Sequence, residues 1–261
     1  MNKAIILLSA GMAWILLSAA NVNPAKKQAK QLKLRHMVPI ADNTWMDDAE
    51  ITNLHYMEFL YHQPDSLHAQ LWPDTTVLTA MGPEMGQFYF SHPAYHDYPV
   101  VGISYEQAQA YCKWRTNYYQ EVHQSPVRFR LPSKAEWEAA ASQNSFGGPY
   151  SGSYTDPYEP ASVKEQRYLR RWGVGGINSG GSDAYPGDAD GHPYTNQISN
   201  TLPSNGFFGL AGNVSEMVQE RGIAKGGDWY HCLQQCKVEA NTPYQQPAAW
   251  LGFRCVAEVI E

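Results

Sequence analysis

From Phe146 to Asn205 the chain runs through Gly, Pro, Asp, Tyr and Ser with almost none of the period of a helix and almost none of the alternation of a strand. A polar stretch of that length inside a compact domain is either disordered or pinned by ligands, often metal, and by buried aromatics. The many tyrosines within it favour pinning. Composition points the same way. Charged residues make up 17% of the chain while aromatics reach 13%, which describes a loop-rich fold and not a helical bundle or a disordered tail.

The regular elements are short, and several can be located from their caps. Ser104 and Gln107 form a capping box ahead of an apolar pattern of Ala108, Tyr111, Cys112 and Trp114. Ser133 and Glu136 repeat the device before Trp137 and the run Ala139 to Ala141. A third helix follows Thr52, with Leu54, Met57, Leu60 and Tyr61 expected on its buried face at spacings of three and four. Pro93, Pro99, Pro126 and Pro132 punctuate short apolar pieces such as Val100-Val101-Gly102-Ile103.

Lys3, the apolar run Ala4 to Ala20 and its small-residue end, Ser18-Ala19-Ala20, predict a secretory signal over residues 1–20. The alternative is an anchor that stays in the membrane, for which the run is short. No Cys stands near the end of the signal, which closes the lipoprotein route. A basic spacer is expected over residues 21–39, holding Lys26 to Arg35, and a single domain over 40–261. The formal charge of −6 gives no support to nucleic-acid binding. The chain is expected in the periplasm or at the outer membrane, without a transmembrane segment once the signal is cleaved. Its four cysteines, Cys112, Cys232, Cys236 and Cys255, are an even number in an oxidising compartment. They read first as two disulfides, with three pairings open.

Five pieces in order carry a resemblance: Glu50-Ile51-Thr52-Asn53 before Phe59; Tyr98 to Ser104; Arg130-Leu131-Pro132-Ser133 to Glu138; Gly212-Asn213-Val214-Ser215-Glu216; and Lys225-Gly226-Gly227-Asp228-Trp229 followed by Gly252-Phe253-Arg254. Together they resemble the formylglycine-generating-enzyme family, the sulfatase-modifying-factor domain. The resemblance implies an α+β fold, related to C-type lectin domains and poor in regular structure. Pro132 fixes the entry of the following helix, Gly226-Gly227 allows close backbone approach, and Arg254 reads as a buried partner for a carboxylate. The segments around Asn43 to Glu50, Pro73 to Val77 and His92 to Pro99 look like the version found in Bacteroidetes gliding-motility and type IX secretion lipoproteins. There the domain serves assembly and not chemistry. This chain departs from them in lacking the lipidation Cys.

Formylglycine formation in the family is an oxygen-dependent oxidation of a substrate Cys, using two free thiols that bind Cu(I), a soft metal suited to thiolates. Cys236 stands sixteen residues before Gly252 and matches a structural position, which leaves Cys232 as the candidate for the copper pair. The structural partner of Cys236 would fall at Ala141, so its mate is lost. The resemblance also implies a disulfide between Cys112 and Cys255. For Cys232 and Cys236, three residues apart, a local disulfide, a buried free pair and a Cu(I) site all stand open. His231 beside them reads either as a further ligand or, as is commoner for a lone His beside an aromatic, as simply packed.

Calcium is also implied, bound by carboxylates and carbonyls. Asn178 and Asp190 mark one expected site. Glu216, with the Gly212 and Val214 carbonyls, marks a second, weakened because the family's Asn or Asp stands as Gly209 here. The alternative is that these are ordinary turn acids. The iron-binding His-x-x-x-His-x-Glu pattern of related sulfoxide synthases is missing, and His92 and His96 straddle Pro93. The expectation is an exported, non-catalytic binding or structural protein with partners in the cell envelope, such as secretion or gliding machinery. The alternative is a copper-dependent formylglycine-generating oxidoreductase using Cys232 and Cys236.

Overall fold

The computed structural model describes residues 24–142, 194–201 and 206–260. The expected signal, Asn178 and Asp190 lie outside the described residues, as does most of the period-less stretch. Its described part, from Tyr194 to Thr201, is pinned: Thr195 is fully buried and its hydroxyl shares a 2.8 Å hydrogen bond with that of Tyr89, while Asn196 N–H donates to Asn213 Oδ1.

Two four-stranded sheets carry the fold. The first joins β1 (Met37–Ala41), β2 (Thr44–Asp47), β3 (Val127–Arg130) and β8 (Val256–Val259) in the order β1-β2-β8-β3, all antiparallel. The second joins β4 (Ser215–Met217), β5 (Ile223–Lys225), β6 (Thr242–Pro243) and β7 (Leu251–Gly252) in the order β6-β5-β4-β7, with β4 and β7 parallel. Only three residues, Phe253 to Cys255, separate β7 from β8, so the Gly-Phe-Arg motif is the hinge between the sheets. That places Arg254 in the interior, where it is completely buried.

Helices α2 (Asn53–Tyr61), α5 (Tyr105–Val122) and α6 (Lys134–Ser142) start where their caps predict, and the shorter α3 (Asp65–Leu71) and α4 (Met85–Phe88) lie between α2 and α5 in the chain. Thr52 accepts from His55 N–H, Ser104 and Gln107 complete their box, and Ser133 and Glu136 exchange bonds of 3.2 and 2.8 Å. Each cap satisfies orphan donors of the first turn and is worth about 1 kcal/mol. Tyr56 and Phe59 from α2 pack with Tyr111 of α5 and Phe253, with ring centroids 5.2 to 6.0 Å apart. Each such side chain contributes roughly 2 kcal/mol by burial.

Two expectations are corrected. The buried face of α2 is Asn53, Tyr56, Phe59 and Leu60, while Leu54 and Tyr61 are exposed. The cause is Asn53: its side-chain amide donates to the carbonyls of Tyr89 and Tyr95, both at 2.9 Å, and turns the helix toward that polar anchor. The basic stretch expected as a solvated spacer is folded. Helix α1 (Pro24–Gln31) leads into β1, Ala29 and Leu34 join the main core, and Ser125 Oγ–H donates to Leu32 O. In sequence Ala29, Leu32 and Leu34 alternate with Lys27, Lys30, Lys33 and Arg35, which are exposed. Among the described residues, no helix is long and apolar enough to cross a membrane.

Candidate functional site

The site grows from the hinge between the sheets. Arg254 donates to both oxygens of Glu216 on β4, Nε to Oε2 at 2.7 Å and Nη2 to Oε1 at 2.6 Å, and both side chains are fully buried. The guanidinium also donates to the carbonyls of Asp47 and Phe208. Trp137 of α6 brings its indole N–H to Glu216 Oε2 at 2.8 Å. Glu216 thus holds three charge-assisted or neutral donors in a dry interior. Arg115 forms a second bidentate pair, on Asp47, whose Oδ2 also takes the N–H of Cys255.

One carboxylate in this cluster has no cation of its own. Glu50 is buried, accepts from Asn213 Nδ2 at Oε1, and leaves Oε2 with no hydrogen-bond partner among the described residues. Burial is the main reason its carboxyl is raised to about 7, with Arg254 opposing and Glu216 reinforcing. A buried carboxyl so placed holds its proton well above the ordinary range. It faces Gly209, where a Cβ would sit 2.2 Å from Glu50 Oε1.

The second half of the site is the Gly226-Gly227 turn, with φ of +93° and +67°. A Cβ at Gly227 would lie 2.5 Å from Cys236 Sγ, so the turn and the thiol fit only because the residue is glycine. The turn delivers Asp228 into the interior, where it accepts from Ser215 Oγ–H at 2.6 Å, from Tyr230 and His231 N–H, and lies 2.9 Å from His231 Nδ1. That hydrogen bond raises the pKa of His231. His231 packs edge-on against Tyr230 and Trp250, and in addition a buried carboxylate fixes its ring through Nδ1. Sequence reasoning missed this pair; its signal was the three-residue spacing from Asp228 across a tight turn.

The cysteines fall into two groups. Cys112 and Cys255, the pair the resemblance implies for a disulfide, are both buried with Sγ atoms 3.4 Å apart. Cys232 caps the short 3-10 helix Leu233–Cys236 and is half-buried, while Cys236 at its end is fully enclosed. Burial, reinforced by the charge of Asp228, pushes the Cys236 thiol far above the ordinary cysteine range. A thiolate is the species that binds Cu(I). For Cys236 to serve in that role, a metal would have to displace a thiol proton that burial and the charge of Asp228 hold in place.

Comparison with known proteins follows this geometry. The Thermomonospora curvata protein named formylglycine-generating enzyme is 27% identical over 73% of this chain and 70% of its own length. The Mus musculus protein of the same name is 22% identical over 83% of this chain and 66% of its own. The crystal structure of CarF is 17% identical, with a TM-score of 0.53 over 84% of this chain and 87% of that one, a likeness of fold. A sequence profile of the sulfatase-modifying factor enzyme 1-like domain matches residues 4–259. With that match spanning nearly its whole length, and with Arg254, Glu216 and the Gly226-Gly227 turn built into one interior, the chain belongs to the sulfatase-modifying factor enzyme 1-like domain family.

Proposed function

We propose that this chain is a catalytically silent member of the family, exported to the periplasm or outer membrane, where it serves as a binding or structural component with protein partners such as secretion or gliding machinery. The observation that carries the reading is the state of the thiols: Cys112, Cys236 and Cys255 are buried, and only Cys232 is within partial reach of solvent. Oxidation of a substrate thiol through two Cu(I)-binding cysteines needs a second reachable thiolate. Contact groups for a partner are present on the surface. Tyr61 is 83% exposed, Trp72 and Val122 are exposed as well, and a cleft of about 700 Å³ is lined by Phe59, Leu71, Trp114, Tyr118 and Val122. Aromatic side chains of this kind are enriched in protein interfaces.

The second reading, a copper-dependent formylglycine-generating oxidoreductase, is favoured by the names of the curated relatives. One experiment separates the two. The full chain is titrated with Cu(I) against a competing chelator, and a cysteine-containing peptide is incubated with it under oxygen and followed by mass spectrometry. Silence predicts no stoichiometric Cu(I) and no conversion of the peptide thiol to an aldehyde. Copper bound at one per chain together with conversion would overturn it. Affinity capture from the native envelope then identifies the partner.

A further inference from the structure

The family resemblance implies calcium at Glu216, and the residues around Glu216 do not fit one. Calcium takes six to eight oxygens at roughly 2.3–2.6 Å. Both oxygens of Glu216 are occupied by Arg254, and one also by Trp137. The Asn or Asp that the resemblance places at 209 is glycine, so that oxygen is missing. The space it would fill is taken, since a Cβ at 209 would lie 2.2 Å from Glu50 Oε1 and 2.5 Å from Glu50 Oε2. Asn213 gives Glu50 a donor and receives one from Asn196, so its amide is committed in both directions.

We propose that this chain has replaced the calcium at Glu216 with a metal-free charge cluster: Arg254 supplies the positive charge, and the Glu50 carboxylate occupies the place left by the side chain at 209. The chemistry is self-consistent. A guanidinium holding a carboxylate in two parallel bonds does in a dry interior what a divalent ion does with oxygen ligands, at half the charge. A calcium placed against the same carboxylate would sit beside that guanidinium without water to screen the repulsion. Loss of a side chain at 209 then carries no penalty, because the ligand it once supplied has no ion to meet. The oxygen that argues the other way is Glu50 Oε2, buried and without a partner among the described residues, and the experiment is built on it.

Calcium bound by the full chain is counted by native mass spectrometry, and its effect on the thermal midpoint is measured between calcium and a chelator, for wild type and for Glu50→Gln, which keeps the shape and removes the charge. The expected result is the same calcium count and the same midpoint shift in both proteins, whatever other sites the chain has. Loss of one calcium, or of the shift, in the variant overturns the proposal. Should the variant not fold, terbium luminescence on wild type and Trp137→Phe reads the same point. An ion at Glu216 would be sensitised by the indole 2.8 Å from its ligand oxygen. Equal emission from the two proteins supports a metal-free cluster, and emission that disappears with Trp137 refutes it.

Discussion

Glu50→Gln should change how the stability of this protein depends on pH. A carboxyl that titrates at 4.5 in the unfolded chain and at about 7 in the fold changes the folding free energy by about 3 kcal/mol, at roughly 1.4 kcal/mol per tenfold change in proton affinity. The folded form binds the proton more tightly. The contribution of Glu50 is therefore fully present below pH 4.5, is lost as pH rises toward 7, and is constant above. In Gln the charge is gone and the bond from Asn213 to Oε1 is kept, but the new amide N–H group stands where Oε2 has no partner among the described residues, at a cost of about 1 kcal/mol. The two proteins should be within about 1 kcal/mol of each other at pH 4.5, and the variant should gain by about 3 kcal/mol relative to wild type between there and pH 8. Urea denaturation of both proteins across that range measures the difference directly. Other groups titrate in the same window, among them His55, lowered by burial, and His231, raised by Asp228. They are common to both proteins and cancel in the comparison. A gap that stays constant from pH 4.5 to 8 would mean that Glu50 is ionised throughout, and the assignment of the uncompensated carboxyl would be wrong.

Gly209→Ala combines a φ of +67° with a Cβ 2.2 Å from Glu50 Oε1; strain and overpacking together predict about 2–5 kcal/mol lost in chemical denaturation, and a loss under 1 kcal/mol would show that Glu50 moves aside freely. Asp228→Asn should lower the midpoint of His231, read by NMR titration, because the hydrogen bond to Asp228 is the largest cause of its raised value; an unchanged midpoint would remove Asp228 as its partner. Cys112 and Cys255 should form a disulfide under mild oxidation, seen as a linked peptide pair, since their Sγ atoms are already 3.4 Å apart and 143 residues separate them in sequence. Closing so long a loop is worth roughly 5 kcal/mol in the chain-entropy view, so a thermal midpoint that does not rise on oxidation would count against it.

What could be read in the sequence is what local chemistry decides. The caps at Thr52, Ser104 and Ser133 are short-range patterns and appear where they were expected. Arg254 is the buried partner of a carboxylate, as the Gly-Phe-Arg motif implied, but its partner Glu216 lies 38 residues away and has no local signal. Glu50 and Asn213 are 163 residues apart, and no spacing rule reaches across that distance. The face of α2 was misread because apolar spacing treats Asn53 as a surface residue, while two carbonyls of a distant loop draw it inward. The basic stretch before β1 was misread in the opposite sense, its lysines concealing a narrow stripe of Ala29, Leu32 and Leu34. In each miss a long-range polar or packing partner overrode the local pattern.

The segment from Lys225 to Cys255 gathers half its apparent reactivity from residues that face inward. Lys225 is fully buried and donates to Glu138 and the Ala240 carbonyl; Asp228, Cys236 and Arg254 are equally enclosed. For Arg254 and Glu216, both fully buried, removing one member costs about 3–5 kcal/mol, because the other is left charged in a medium that cannot solvate it. These groups are therefore held in place by the fold and are unavailable to meet a substrate. Within the segment Tyr230 is 57% exposed, with the half-buried His231 and Cys232 beside it, and Gln234, Glu239, Asn241, Pro243, Gln245 and Gln246 are exposed as well. Recognition on this face has that polar rim to work with as well as Tyr230, His231 and Cys232, with Asp228 fixing the ring of His231 through Nδ1.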